Sequence, residues 1–395
     1  MPRDGALVVG VVGAGAMGSG IAQVAAAAGH RVVLGDANGA AVARARESMR
    51  KALARDVEKG RLDPASAEAL AARVTDAGEL DAGFRAYAEC GLVIEAVLED
   101  LAVKQTLFAG LEHVVREECI LATNTSSLSV AAIGGGCRRA ERVVGIHFFN
   151  PAPVMPLVEI VPAITTDPAV AARARTLVDS WKKTTVIASD TPGFIVNRIA
   201  RPFYGEALRV FEEGIADVAT IDWAMRELGG FRMGPFELMD FIGNDVNYAV
   251  TRSVFEAFFY DPRYKPALAQ RRLVEAGLYG RKRERGYYDY RAGADRPEPT
   301  RDRALGQTIL DRVLAMLVNE AIDAVHMRVA SPNDVELAMT KGVNYPKGLL
   351  AWGDEIGAAA VLARLEALQA EYGEDRYRPS PLLRRRVRER RPLLS

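Results

Sequence analysis

Cysteine is scarce in this 395-residue chain, which holds only Cys90, Cys119 and Cys137, an odd number with no Cys-x-x-Cys spacing. That argues against a disulfide framework and a zinc site, so no metal is expected and the cytoplasm is the expected location. Charge of one sign is also lacking: 51 basic residues face 51 acidic ones. Nothing in that balance calls for nucleic acid. Hydrophobic residues make up 49% of the chain, yet no run is long enough to span a bilayer, so no membrane partner is expected. The apolar stretch from Ala6 is interrupted at Gly10 and Gly13, too early for the core of a signal peptide. Histidine is rare too, with His30, His113, His147 and His326 the whole supply.

What the chain does have is length, alternation and repetition. Two or three domains fit into 395 residues, each with its own core. Leu7 to Val12, Arg31 to Leu34, Leu92 to Ala96, Ile120 to Thr123, Val143 to Phe148, Leu157 to Val161 and Thr185 to Ala188 read as short strands between helical stretches. That alternation predicts a parallel sheet with crossover helices over 1–190. After Asp190-Thr191-Pro192-Gly193 the strand pattern stops and helical periodicity takes over.

Compared with itself at an offset of 114 residues, the second half matches without a gap from about Arg198 to Ile356. Arg198, Glu206, Ala224, Met225, Gly234, Asp240 and Gly243 recur as Arg312, Glu320, Ala338, Met339, Gly348, Asp354 and Gly357. A gap-free register that keeps glycines and an aspartate points to tandem duplication of one helical module. The expected modules are 191–290 and 302–395, joined by a Pro-, Gly- and charge-rich linker over 291–301.

Gly13-Ala14-Gly15-Ala16-Met17-Gly18 follows the first apolar run and opens an Ala-rich helical stretch. In that context Gly13 permits a tight turn, Gly15 removes a Cβ that would block a pyrophosphate, and Gly18 allows close helix–strand packing. The free N–H groups of the helix start favour phosphate. Asp36, at the end of the second strand, suits the hydroxyls of an adenosine ribose and would repel a 2′-phosphate, so NAD is favoured over NADP.

The run Arg142-Val-Val-Gly-Ile-His147-Phe-Phe-Asn150-Pro-Ala-Pro-Val-Met-Pro-Leu-Val-Glu159 puts a histidine at one strand end and a glutamate on the next strand. An imidazole oriented by a carboxylate can take an alcohol's proton as hydride leaves. A lone strand histidine is also a common structural residue, and its surroundings carry the rest of the case.

With Gly-Ala-Gly-Ala-Met-Gly-Ser-Gly-Ile-Ala from Gly13, Ile-Glu-Ala-Val-Leu-Glu from Ile94, Asn-Thr-Ser-Ser-Leu from Asn124, His-Phe-Phe-Asn-Pro from His147 and Gly-Phe-Ile-Val-Asn-Arg from Gly193, the chain resembles the 3-hydroxyacyl-CoA dehydrogenase family over nearly its whole length. The resemblance implies an α/β Rossmann-type NAD-binding domain followed by two tandem all-α modules. It implies His147 as general base, Glu159 as its orienting partner, and Ser126 and Asn197 as hydrogen-bond partners of substrate oxygens. Ala96, Glu99, Lys104 and Asn124 would line the cofactor's ribose and nicotinamide. Ser126 also fits a strand-end turn, and Asn197 a helix cap. Glu95 reads as a structural carboxylate.

An acyl-CoA substrate brings phosphates, and the resemblance points to Ser48 and Arg55, on the basic helix from Ala41 to Lys59, as positions that meet coenzyme A. A solvated charged face reads the same way. In the second module Asp311 stands where the first has Asn197, and Leu349 where it has Pro235. It therefore reads as a packing partner, in either a homodimer or a pseudo-dimeric monomer. The duplicated architecture is most similar to family members of phenylacetate breakdown that act on 3-hydroxyadipyl-CoA, with 3-hydroxybutyryl-CoA dehydrogenases as competitors. A terminal carboxylate on the acyl chain would call for a cation, for which Arg201 and Arg252 are the candidates. The basic tail from Arg384 to Arg391 reads as a solvated or frayed end. Two rival readings keep the fold: a dehydrogenase of a free hydroxy acid, and a non-catalytic NAD-binding protein.

Overall fold

The structure, a computed structural model, describes residues 7–79 and 84–394. Ala6, where the apolar N-terminal run begins, lies outside them. The chain divides into two compact units, Met1–Thr191 and Pro192–Ser395.

The first unit is built on one sheet of eight strands: β1 Val8–Val12, β2 Arg31–Asp36, β3 Val74–Glu79, β4 Leu92–Glu95, β5 Ile120–Thr123, β6 Val143–Phe148, β7 Leu157–Pro162 and β8 Thr184–Ile187. Their order is β3-β2-β1-β4-β5-β6-β7-β8. β1 is flanked by β2 and β4, both parallel to it, so the strand order reverses there and opens a crevice at the carboxyl ends. Helices cover the sheet, and Val9, Val11, Leu34, Ile94, Ala122 and Ile146 are fully buried beneath them. Full burial of one such side chain contributes about 1.5–3 kcal/mol.

Two features depart from the sequence reading. β7 runs antiparallel to β6, because the connection from Phe149 to Pro156 is too short for the crossover that parallel strands require. β3 is an additional strand. It reads Val-Thr-Asp-Ala-Gly-Glu at the sheet edge, and a polar edge strand carries no apolar alternation to betray it.

The second unit is helical. A long helix, Arg303–His326, packs on Arg201–Glu212. The repeat seen in sequence is a repeat of elements: Val218–Trp223, the π-helical turn Ala224–Leu228, Pro235–Ile242 and Asn244–Ala257 recur as Pro332–Leu337, the π-helical turn Ala338–Gly342, Leu349–Ile356 and Ala358–Tyr372. The hydrogen bonds recur as well. Asp222 accepts from the amides of Phe236 and Glu237, and Glu336, its mate, from those of Leu350 and Ala351. Arg291–Arg301 forms neither helix nor strand.

The tail corrects an expectation. Its arginines are largely solvated, but Pro381–Glu389 is a helix capped by Ser380, and beyond it Leu393 is fully buried. The Leu393 and Leu394 amides donate to Asp354, just as the Tyr287 and Tyr288 amides donate to its mate Asp240. The end is anchored because it completes the second copy.

Candidate active site

The Gly-rich turn leaves β1 and enters helix Ala16–Ala27. Gly13 has φ 102°, and a Cβ on it would lie 2.4 Å from the Ala96 carbonyl oxygen. At Gly18 a Cβ would lie 1.7 Å from the Gly13 carbonyl oxygen. Both glycines are therefore demanded by backbone packing. Gly15 is different, since a Cβ there would meet nothing within 4 Å. Its outer side is clear, the helix has no side-chain cap, and its first turn carries no acid. Those unpaired N–H groups suit an anion. Met17 and Ala96 pack half-buried against the core. Asp36 Oδ2 accepts from the Ala14 amide at 2.7 Å and Oδ1 from the Asn38 amide at 2.8 Å, which holds the carboxylate against the turn. The donor set and the open cradle fit a dinucleotide.

At the ends of β4 and β5 lies a second cluster. Lys104 is 1% exposed, with Nζ 2.6 Å from Glu95 Oε1 and 3.1 Å from Glu99 Oε2. Glu99 also accepts from the Thr125 hydroxyl at 2.6 Å, the Ser126 amide at 3.0 Å and the Ser127 hydroxyl at 3.0 Å. Burial works to raise the Glu99 carboxyl, but Lys104 and the Thr125 and Ser126 donors outweigh it and hold it below the usual range. The loop after β5 is thus pinned, with half-buried Ser126 at its crest. Asn124 Oδ1 accepts from the Phe148 amide at 2.8 Å, tying the end of β5 to the residue after His147.

The β6–β7 register sets His147 directly opposite Glu159, so both side chains leave the same face of the sheet. His147 Nδ1 lies 2.6 Å from Glu159 Oε2, with His147 5% and Glu159 0% exposed. The Phe149 ring packs on the imidazole at 4.6 Å. A carboxylate can only accept, so Nδ1 donates and Nε2 keeps a lone pair for a proton.

The first unit therefore gathers Gly13, Gly15, Gly18, Asp36, Ala96, Glu99, Asn124, Ser126 and His147 at the carboxyl ends of its strands and the turns that follow them. Asn197 belongs to the second unit, half-buried in the short helix Val196–Ile199. Ser48 and Arg55 are exposed on helix Gly39–Glu58. Three positioning residues had escaped notice. Thr123 donates to Glu95 at 2.8 Å, Thr125 binds Glu99, and Asp190 caps helix Val130–Gly134 by accepting from the amides of Val130 and Ala131. The hydroxyl run ahead of a helix was the sequence signal for Thr123 and Thr125, whereas Asp190 is far in sequence from the helix it caps and had no such signal. Among the described residues, no group of His, Cys, Asp or Glu could hold a metal, and no helix is long and apolar enough to cross a membrane.

An α/β unit with an open pyrophosphate cradle and an acid-held imidazole above the same sheet defines a dinucleotide-dependent oxidoreductase. The chain belongs to the 3-hydroxyacyl-CoA dehydrogenase family, whose NAD binding domain matches residues 8–191 and whose C-terminal domain matches residues 193–290 and again 309–392. It is 39% identical over 464 aligned positions to the 3-hydroxyadipyl-CoA dehydrogenase of Escherichia coli (strain K12), covering 96% of this chain and 97% of that protein. It is 40% identical to the 3-hydroxybutyryl-CoA dehydrogenase of Bradyrhizobium diazoefficiens, covering 74% of this chain and 98% of that one. A crystal structure of 3-hydroxybutyryl-CoA dehydrogenase from Escherichia coli K12 superimposes with a TM-score of 0.92 at 38% identity, covering 97% of this chain and 98% of that one. The cofactor is NAD.

Proposed function

We propose that this enzyme oxidises the 3-hydroxyl of an acyl-CoA thioester to a ketone, with His147 as general base. The observation that carries the reading is the buried contact of 2.6 Å between His147 Nδ1 and Glu159. Bound NAD supplies the hydride acceptor. His147 Nε2 takes the hydroxyl proton, and Glu159 stabilises the imidazolium that results. Ser126 and Asn197 hydrogen-bond the substrate oxygens. Gly13, Gly15, Met17 and Gly18 cradle the pyrophosphate, and Asp36 takes the adenosine ribose. Ala96, Glu99, Lys104 and Asn124 form the wall beside the nicotinamide ribose. For Lys104 and Glu99 this means shaping that wall through each other, since the lysine is buried between Glu95 and Glu99. Ser48 and Arg55 offer a hydroxyl and an exposed cation to coenzyme A.

The names of the relatives leave a six-carbon dicarboxylic acyl chain and a four-carbon one as the two candidate substrates. The free thiols Cys90, Cys119 and Cys137 support a cytoplasmic location. The second helical module takes the place of a dimer mate, a reading supported by the reciprocal ion pairs that join the copies. The deciding experiment follows NADH absorbance with acetoacetyl-CoA and with free acetoacetate. Oxidation of NADH by the thioester alone is the expected result. Turnover of the free acid alone would make the enzyme a hydroxy-acid dehydrogenase, and turnover of neither would leave an NAD-binding protein.

A further inference from the structure

Buried arginines in the second unit obey a rule with one exception. Arg198 and Arg263 pair with Glu320, and Arg312 and Arg376 pair with Glu206. Arg201 is 7% exposed, yet among the described residues no carboxylate faces it. Its Nε donates to the Asn197 carbonyl oxygen at 2.9 Å, one Nη donates to the Thr251 hydroxyl at 3.2 Å, and its guanidinium lies over the Tyr204 ring at 5.0 Å. A guanidinium has five N–H donors, so these contacts leave donors to spare. Burial disfavours its charge and lowers its pKa. A buried cation without a counter-charge is costly and is normally paired.

Within electrostatic reach of Arg201 stands Tyr345, contributed by the second module. Tyr345 is 6% exposed, and its buried hydroxyl has no hydrogen-bond partner. A guanidinium with spare donors, within electrostatic reach of an unsatisfied phenol, is a place for an anionic oxygen.

The duplication supplies an internal control. Arg201, Tyr204, Thr251 and Tyr345 correspond to Ala315, Val318, Leu365 and Phe231 in the exchanged copy. The module folds with apolar residues at all four places, so packing does not demand the polar set. It occurs only on the side that carries Asn197, whose mate is Asp311. Arg252, the other cation considered from sequence, is exposed and paired with Glu256.

Position then selects the ligand. Arg201 follows Asn197 by four residues, across the turn at Ala200 that separates their two helices, and its Nε reaches the Asn197 carbonyl oxygen. In a six-carbon acyl chain, three extended carbon–carbon bonds carry the terminal carboxyl only about 4 Å beyond C3, so a group that binds it stands close to one that binds the C3 oxygen. We propose that Arg201 and Tyr345 bind the terminal carboxylate of a dicarboxylic 3-hydroxyacyl-CoA, so that the second module supplies a specificity-determining residue. This rests on the reading of Asn197 as a contact of the C3 oxygen. The void touching Arg201 and Tyr204 is about 10 Å³, room for one water. A carboxylate therefore enters only as side chains there give way, and kinetics read whether they do.

The test compares kcat/KM of the full chain with NAD for 3-hydroxyadipyl-CoA and 3-hydroxyhexanoyl-CoA, which share chain length and differ at the far end. The wild type favours the adipyl thioester. Arg201→Met lowers that preference about a hundredfold. Tyr345→Phe, which installs the residue of the mate position, lowers it about tenfold and decides the matter should the arginine variant fail to fold. If both thioesters turn over and neither substitution moves the ratio, the proposal is overturned and the hydroxyacyl-CoA reading stands. If the wild type turns over neither, that reading falls and takes the proposal with it.

Discussion

Arg198 Nε and Glu320 Oε1 meet at 2.6 Å inside the helical unit, and Arg312 Nε meets Glu206 Oε2 at 3.0 Å. Because Arg312 and Glu320 are the mates of Arg198 and Glu206, these are one contact written twice with the copies exchanged. Arg263 and Tyr264 join Glu320, while Arg376 and Tyr377 join Glu206. Such reciprocity marks an isologous interface, here closed within one chain.

The first prediction concerns assembly. With its self-complementary face already covered, the protein is expected to run at the mass of one chain in light scattering coupled to gel filtration, across a wide concentration range. A dimer joined through its first-copy modules would show that the second copy does not replace a mate.

Glu320→Gln should destabilise the helical unit by less than the ~3–5 kcal/mol of a fully broken buried pair, since Arg198 and Arg263 keep Asp323, 3.0 Å from each, as their remaining shared counter-charge. Acid should expose the same interaction. Burial pushes the Glu320 carboxyl up, but Arg198 and Arg263 outweigh it and hold it below its ordinary 4.5. A carboxyl depressed on folding contributes fully above its unfolded value, and that contribution is lost as pH falls through the depressed one. Urea unfolding at several pH values should therefore give a flatter acid limb for the variant. Parallel profiles would remove Glu320 from the account.

His147→Gln keeps a donor toward Glu159 while removing the proposed base. Turnover is expected to fall roughly 10²- to 10⁴-fold, with NADH affinity by fluorescence titration little changed. Activity near that of the wild type would mean another group takes the proton.

For Asp36→Ala the expected result is weaker NAD binding and a smaller preference over NADP. The Ala14 amide also loses its acceptor, so a loss of stability of up to about 1–3 kcal/mol should accompany it, while the exposed Asn38 amide can turn to water. An unaltered cofactor ratio would contradict a role at the ribose.

Some of this was legible before any fold was known. The Gly-rich turn can be read because the positive φ of Gly13 and the close approach of Gly18 to the Gly13 carbonyl are requirements local to a few residues. His147 and Glu159 can be paired because a short proline-rich connection leaves them little choice of neighbour. The repeat of the helical module could even have foretold the anchored tail, had its register been followed past the one-residue deletion that brings Arg376 and Tyr377 into line with Arg263 and Tyr264.

Residue order alone was sufficient for the Gly-rich turn, the pairing of His147 with Glu159 and the repeat of the helical elements, since each lies between near neighbours or in a fixed period. Folding had to arbitrate everything that depends on distant partners: the reversed direction of β7, the polar edge strand β3, the burial of Lys104 between two carboxylates, and the crossed pairing of Arg198 with Glu320. A charge shows in a sequence, whereas the counter-charge that makes its burial tolerable is chosen by packing, and Arg201 stands out only once every other buried arginine of its unit has found one.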